Sequence, residues 1–237
     1  MNNPREPSVL RSLPAGISAV AIGLMNVVII LYFVFAPETG RDDANAFFLT
    51  FAQNALRSSL PWIVFSITAV LSYAVLPVVY EAVRAVHAEG ARFATLFGLA
   101  GYTVQGVWAI TLTRTAPVLS AAYQAGGEIT RKAILAFGLP QIDPDGWFSF
   151  GGPGTWMILV NILAYRGGCL PKWHALTGIA AGICAWATVF ASLFSFEPLN
   201  LLASAGGAVV YPVWFAALGI RLLRGLPRAR APEGERP

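Results

Sequence analysis

The sequence predicts an all-α protein: a polytopic bundle of six transmembrane helices with both termini cytoplasmic. Three observations carry this expectation. Apolar residues make up 56% of the 237-residue chain and charged residues only 12%, where a soluble globular domain carries about 25% charged residues. The apolar residues gather into six runs close to the length of about 20 that a helix needs to cross a hydrocarbon core of roughly 30 Å. Lys and Arg are distributed unevenly over the connections between those runs.

The runs fall at about 13–36, 60–83, 93–117, 147–165, 173–196 and 199–222. They are continuous rather than alternating, so they read as helices, which satisfy their own backbone hydrogen bonds in lipid, and not as barrel strands. The first run, Leu13 to Ala36, is longer than the roughly 7–15 apolar residues of a secretory signal and reads as a retained span. Residues 1–225 form one membrane domain, and the basic tail 226–237, "LPRARAPEGERP", combines Pro, Gly and charge in a way that predicts disorder near anionic lipid.

Orientation follows from the cations. One side of the predicted topology holds Arg5, Arg11, Arg84, Arg92, Arg166, Lys172, Arg221, Arg224, Arg228, Arg230 and Arg236; the other holds Arg41, Arg57, Arg114, Arg131 and Lys132. The excess marks the cytoplasmic side. An even number of spans puts both termini there, and the expected location is the bacterial inner membrane.

The two long outer connections are amphipathic. After Pro37, Asp42 and Asp43 are placed to cap a helix with Phe47, Phe48, Phe51 and Ala55 on one face. Residues 127–139 repeat the pattern with Ile129, Ala133, Ile134 and Phe137. Either segment suits the outer membrane surface, as a lid over the bundle or as a substrate gate.

Chemistry is sparse. No metalloprotease, intramembrane protease or phosphatase motif occurs, and Cys169 and Cys184 match no metal or redox spacing. His87 and His174 fall near the same surface rather than facing each other at matched depth, so haem is not expected, and each reads as a headgroup contact. No catalytic residue, metal or other cofactor is expected, and the net charge of +4 does not point to nucleic acid because the basic residues flank spans. Glu81 is the deepest acid, with Arg84 three residues on as its partner.

Neutral polar residues do lie at mid-depth: Asn26, Ser72, Tyr73, Gln105, Thr155 and Tyr211, with Trp62, Trp108, Trp156, Trp186 and Trp214 available as walls. They read as hydrogen-bonded glue between helices, or as a polar cavity. The stretch "FGGPGTW", Phe150 to Trp156, sharpens the choice. It lacks the strand and lysine of a phosphate loop. Counting back from Arg166 at about 1.5 Å per residue, Gly154 lies about 18 Å up the helix, past the midplane. Pro153 there predicts a kinked or broken fourth span whose residues 151–155 face the bundle. The candidate cavity residues are therefore Asn26, Tyr73, Gln105, Gly152, Pro153, Gly154, Thr155 and Tyr211.

The turn after span two, "YEAVRAVHAEGARFA", the segment "RGGCLPKWHALTGIAAG" and the last span "YPVWFAALGIRLLRG" together resemble a widespread bacterial family of six-helix membrane proteins of unknown function. The shared features are Leu170, Pro171 and Trp173 entering the fifth helix, and Trp214 and Gly219 late in the sixth. The resemblance implies the fold and no activity. Proline in a helix's first turn and Lys172 with Trp173 at the headgroup layer account for the first motif independently.

The functional expectation is a membrane protein without catalytic machinery: a scaffold, an accessory subunit of a complex or homo-oligomer, or a binder of lipid or a small ligand. A transporter of a small neutral or lipid-like solute is the alternative, and an enzyme is the third choice. The lipid bilayer is an expected partner in every case.

Overall fold

The computed structural model describes residues 9–35 and 44–229. In chain order these form β1 (Val9–Leu10), α1 (Leu13–Phe35), α2 (Ala44–Gln53), α3 (Ala55–Val83), α4 (Ala88–Ala125), α5 (Glu128–Phe137), α6 (Gly151–Arg166), α7 (Lys172–Leu193), α8 (Glu197–Arg224) and β2 (Leu226–Pro227). The protein is all-α apart from the two-residue strands. Five of its helices, α1, α3, α4, α7 and α8, are long and apolar enough to cross a membrane.

The expected fourth span falls on α6, which is only 16 residues long, about 24 Å at 1.5 Å per residue. It does not kink. The helix starts at Gly151, so Pro153 occupies its first turn, where a missing N–H costs no intrahelical bond. Residues 147–150 form a turn that leads into it. The third expected span also differs: α4 runs through Pro117 to Ala125, 38 residues in all, about 57 Å and nearly twice a hydrocarbon core.

Six helices close into a ring in the order α1, α3, α4, α6, α7, α8, with α8 returning to α1. Small residues let the backbones meet. A Cβ added at Gly101 of α4 would stand 2.5 Å from Phe148 O and from Pro153 Cδ, and one at Gly152 of α6 would stand 2.7 Å from Gly101 Cα. Gly154 faces Gly182 and Ala185 of α7 in the same way, and Gly16 of α1 faces Gly219 of α8. Close backbone approach gains dispersion contacts that lipid tails do not match, which is how helices associate without water to drive them together.

β1 and β2 bring the first and last described elements together at one pole of the ring, pairing Val9 with Pro227 and Leu10 with Leu226 in antiparallel register. Ser12 N donates to Leu222 O at 3.3 Å and Ala229 N to Ala82 O at 2.9 Å. Of the expected tail, residues 226–229 take part in these contacts, and Leu226 and Ala229 are buried. Residues 230–237 lie outside the described part. Near the same pole Arg84 and Glu81 form the expected ion pair, at 2.9 Å.

At the far pole α4 projects beyond the ring and carries α2 and α5. Tyr123 is the hub: its ring stacks on Phe48 of α2 at 5.2 Å, its hydroxyl donates to Asn45 Oδ1 at 2.7 Å, and its carbonyl accepts from Arg131 Nε of α5 at 3.0 Å. Phe48 and Phe51 are buried, so α2 covers the bundle end rather than lying free beside it. Burial of each such ring away from water contributes about 1.5–3 kcal/mol. Ala55 belongs to α3, and the proposed caps Asp42 and Asp43 lie outside the described residues. On α5 only Ile134 of the predicted apolar face is buried; Ile129, Ala133 and Phe137 point outward.

Candidate ligand cavity

Inside the ring, the half nearer the strands is solid and the half nearer α2 encloses a cavity of about 450 Å³. The solid half is an aromatic and amide core. Trp214 Nε1 donates to Asn161 Oδ1 at 2.9 Å, and Asn161 Nδ2 donates to Met157 O at 2.7 Å. His174 Nε2 bonds Trp214 O at 3.1 Å, which makes Nε2 the protonated nitrogen. Trp156 packs edge-on to Trp214 at 5.6 Å, and Phe215 stacks against Trp156. All four of Trp156, Asn161, His174 and Trp214 are fully buried.

The cavity begins where this core ends. Its wall is mostly apolar, with Ile29 and Ile30 of α1, Phe65 of α3 and Ala208 and Phe215 of α8. Asn26, Tyr102, Gln105 and Tyr211 supply its mid-depth hydrogen-bonding groups, joined by Thr68, Ser149 and Thr188. No Asp, Glu, Lys, Arg or His is among the described lining residues. Val34 of α1 and Leu201 and Ser204 of α8 line it and are exposed, so the mouth lies between the far ends of those two helices.

Two amides set the cavity's polarity differently. Asn26 Nδ2 is tied to Ile22 O of its own helix at 2.9 Å. Gln105 is 7% exposed and its Oε1 is buried without a hydrogen-bond partner. An amide oxygen left unpaired in such a place costs about 1–3 kcal/mol, and a ligand or ordered water that donates to it recovers that cost.

Of the eight residues predicted from sequence, Asn26, Gln105, Pro153 and Tyr211 line this cavity. Gly152 and Gly154 are buried beside it as helix contacts, against Gly101 and Gly182. Thr155 is glue, accepting from Trp186 Nε1 at 3.1 Å. Tyr73 is on the outside of the ring, 45% exposed, where its hydroxyl bonds that of Thr103 on α4. The five tryptophans do not wall the cavity. Trp156 and Trp214 form the core, Trp186 holds α7 to α6, and Trp62 and Trp108 pack edge-on to each other at 5.3 Å beneath α2.

Three residues went unrecognised in the sequence. Asn161 was legible as the lone amide in the apolar run Trp156–Tyr165. His174 is not a headgroup contact but a core residue, since the first turn of α7 tucks under Trp214. Asp143 holds the chain as it approaches α6: its Oδ2 accepts from Phe148 N at 2.9 Å, Ser149 N at 2.7 Å and Ser149 Oγ at 2.9 Å. The sequence Asp143-Pro144-Asp145-Gly146 signals that turn. By fixing Phe148 and Ser149, Asp143 holds Ser149 in one wall of the cavity. Among the described residues no three His, Cys, Asp or Glu side chains gather as a metal-ligand set.

No curated protein and no solved structure matches the chain. Residues 19–224 match the family described as a domain of unknown function, DUF4386. The match takes in most of α1, all of the remaining ring and every residue that lines the cavity, and the chain therefore belongs to the DUF4386 family.

Proposed function

We propose that this protein is a multi-pass protein of the bacterial inner membrane that holds one small, uncharged, mostly apolar molecule in the cavity of its helix ring. Six crossings with both termini cytoplasmic fit the excess of Lys and Arg on one side, and the pairing of β1 with β2 puts residues 9–10 and 226–227 at one pole. The helix α6 makes its crossing jointly with the turn 147–150 that precedes it. The cavity then lies in the outer half of the bilayer.

The observation that carries the reading is the unpaired Gln105 Oε1 beside a cavity of about 450 Å³ with no charged wall. That volume is within the roughly 300–1,000 Å³ that encloses a small organic molecule. A charged occupant would lack a counter-charge there. A neutral amphiphile with a hydroxyl or amide donor pairs Gln105 and leaves its apolar part against Ile29, Phe65 and Ala208.

Native mass spectrometry of the protein released from lipid nanodiscs tests this. The expected result is a neutral adduct whose occupancy falls several-fold in Gln105→Leu and vanishes in the cavity-filling Ala208→Trp, while Thr155→Val retains it. Equal occupancy in all three variants, or no adduct in the parent protein, would overturn the reading.

A further inference from the structure

A second cavity, also about 450 Å³, lies beneath α2 at the far pole. Its walls are of a different kind. Tyr32, Phe47, Phe51, Trp62 and Trp108 make it an aromatic chamber, whereas the first cavity contains no tryptophan. Phe33 lines both chambers, so one side chain of α1 lies at their boundary.

The chambers share a second connection through α4. Trp108 stands three residues beyond Gln105 on the same helix face, about 4.5 Å further along the axis. Its indole nitrogen, like Gln105 Oε1, is buried without a partner. One unpaired acceptor at the first cavity is thus followed by one unpaired donor at the second. Neither chamber has a charged residue among its described lining residues.

We propose that the aromatic chamber is a second binding site for the same class of molecule, an uncharged amphiphile with a hydrogen-bond acceptor in its head, and that the molecule passes between the two sites at Phe33. This rests on the ligand-binding reading of the first cavity. An indole N–H requires an acceptor such as a hydroxyl, ether or carbonyl oxygen, and aromatic faces suit an apolar or unsaturated body. A hydroxyl head satisfies both orphans in turn, accepting from Trp108 and donating to Gln105. The helix α2, held through the hydrogen bond from Tyr123 to Asn45, covers this site, whose rim reaches the exposed Ala44 and Gln141.

Cys184 lines the first cavity, which supplies a native reporter. In a Cys169→Ser protein embedded in lipid nanodiscs, modification of Cys184 by water-soluble, uncharged 2-hydroxyethyl methanethiosulfonate is followed by mass spectrometry. Phe33→Ala is expected to accelerate it several-fold and Phe33→Trp to slow it. In parallel, 11-bromoundecan-1-ol is titrated while tryptophan emission is recorded, and the saturable quenching is expected to disappear in Trp62→Phe/Trp108→Phe. Modification that proceeds at one rate in the parent and both Phe33 variants overturns the route while leaving the first cavity intact. Absence of any modification, even in Phe33→Ala, overturns the route together with the ligand reading. Quenching that persists unchanged in the double variant overturns the second site.

Discussion

Trp214 donates its indole N–H to Asn161 Oδ1 at 2.9 Å, and the space beside that bond is closed by Gly178, where a Cβ would collide with both partners. The pair joins α6 to α8 across α7, in the half of the ring that has no cavity.

Trp214→Phe keeps most of the ring volume but leaves the Asn161 carbonyl unpaired, at a cost of about 1–3 kcal/mol. Gly178→Ala places a methyl group between the partners and is expected to cost at least as much. Thermal unfolding of the detergent-solubilised variants measures this, and both should unfold below the parent. A Gly178→Ala protein as stable as the parent would show that the core yields where the structure has it packed solid.

Gly152 and Gly207 separate close packing from mere glycine content. A Cβ at Gly152 would meet backbone atoms at 2.7 Å on Gly101 and 2.9 Å on Phe97, which cannot rotate aside, whereas at Gly207 the nearest atom is 3.8 Å away. Gly152→Ala should therefore destabilise the protein and loosen α4 from α6. Gly207→Ala should raise stability slightly, by up to about 1 kcal/mol, because alanine is the better helix former. Chemical unfolding of the two variants side by side decides the sign of each.

Cys169 sits in the turn between α6 and α7, buried, with its thiol donating to Ala164 O at 3.4 Å. Burial pushes this thiol up from an ordinary 9.0 to about 11. The unfolded chain therefore releases the proton first. Stability should be level below about pH 9 and fall as pH rises through the folded value, and Cys169→Ser should remove that part of the slope. Unfolding measured from neutral to strongly alkaline pH tests it, together with maleimide labelling, which should spare Cys169 in the folded protein at neutral pH.

Hydropathy located the helices well and their faces poorly, for a physical reason. Where one side of a helix meets lipid and the other meets protein, both sides are apolar, so the 3.6-residue contrast that orients a helix in water is weak. Ser72 and Tyr73 are neighbours predicted at one depth; Ser72 is fully buried and Tyr73 is on the outside. Residue counts say nothing of direction around the helix. Gly152 and Pro153 were placed correctly against the bundle because irregular or unusually small residues at that depth demand protein around them. The turn that leads into α6 was not placed because it depends on Asp143, ten residues before Pro153 and outside the amphipathic stretch 127–139.

The closure of the ring has a consequence for the order in which the protein is made. Among the ring helices, α8, which completes it, is made after the other five, and its partner α1 is made before them. Arg11 and Arg224, joined by a side-chain hydrogen bond, are 213 residues apart in the chain. Until α8 is made, α1 lacks the neighbour that matches its small-residue face, and the cavity lacks a wall. A chain that stops before α8 is left with several inserted helices and no enclosed interior.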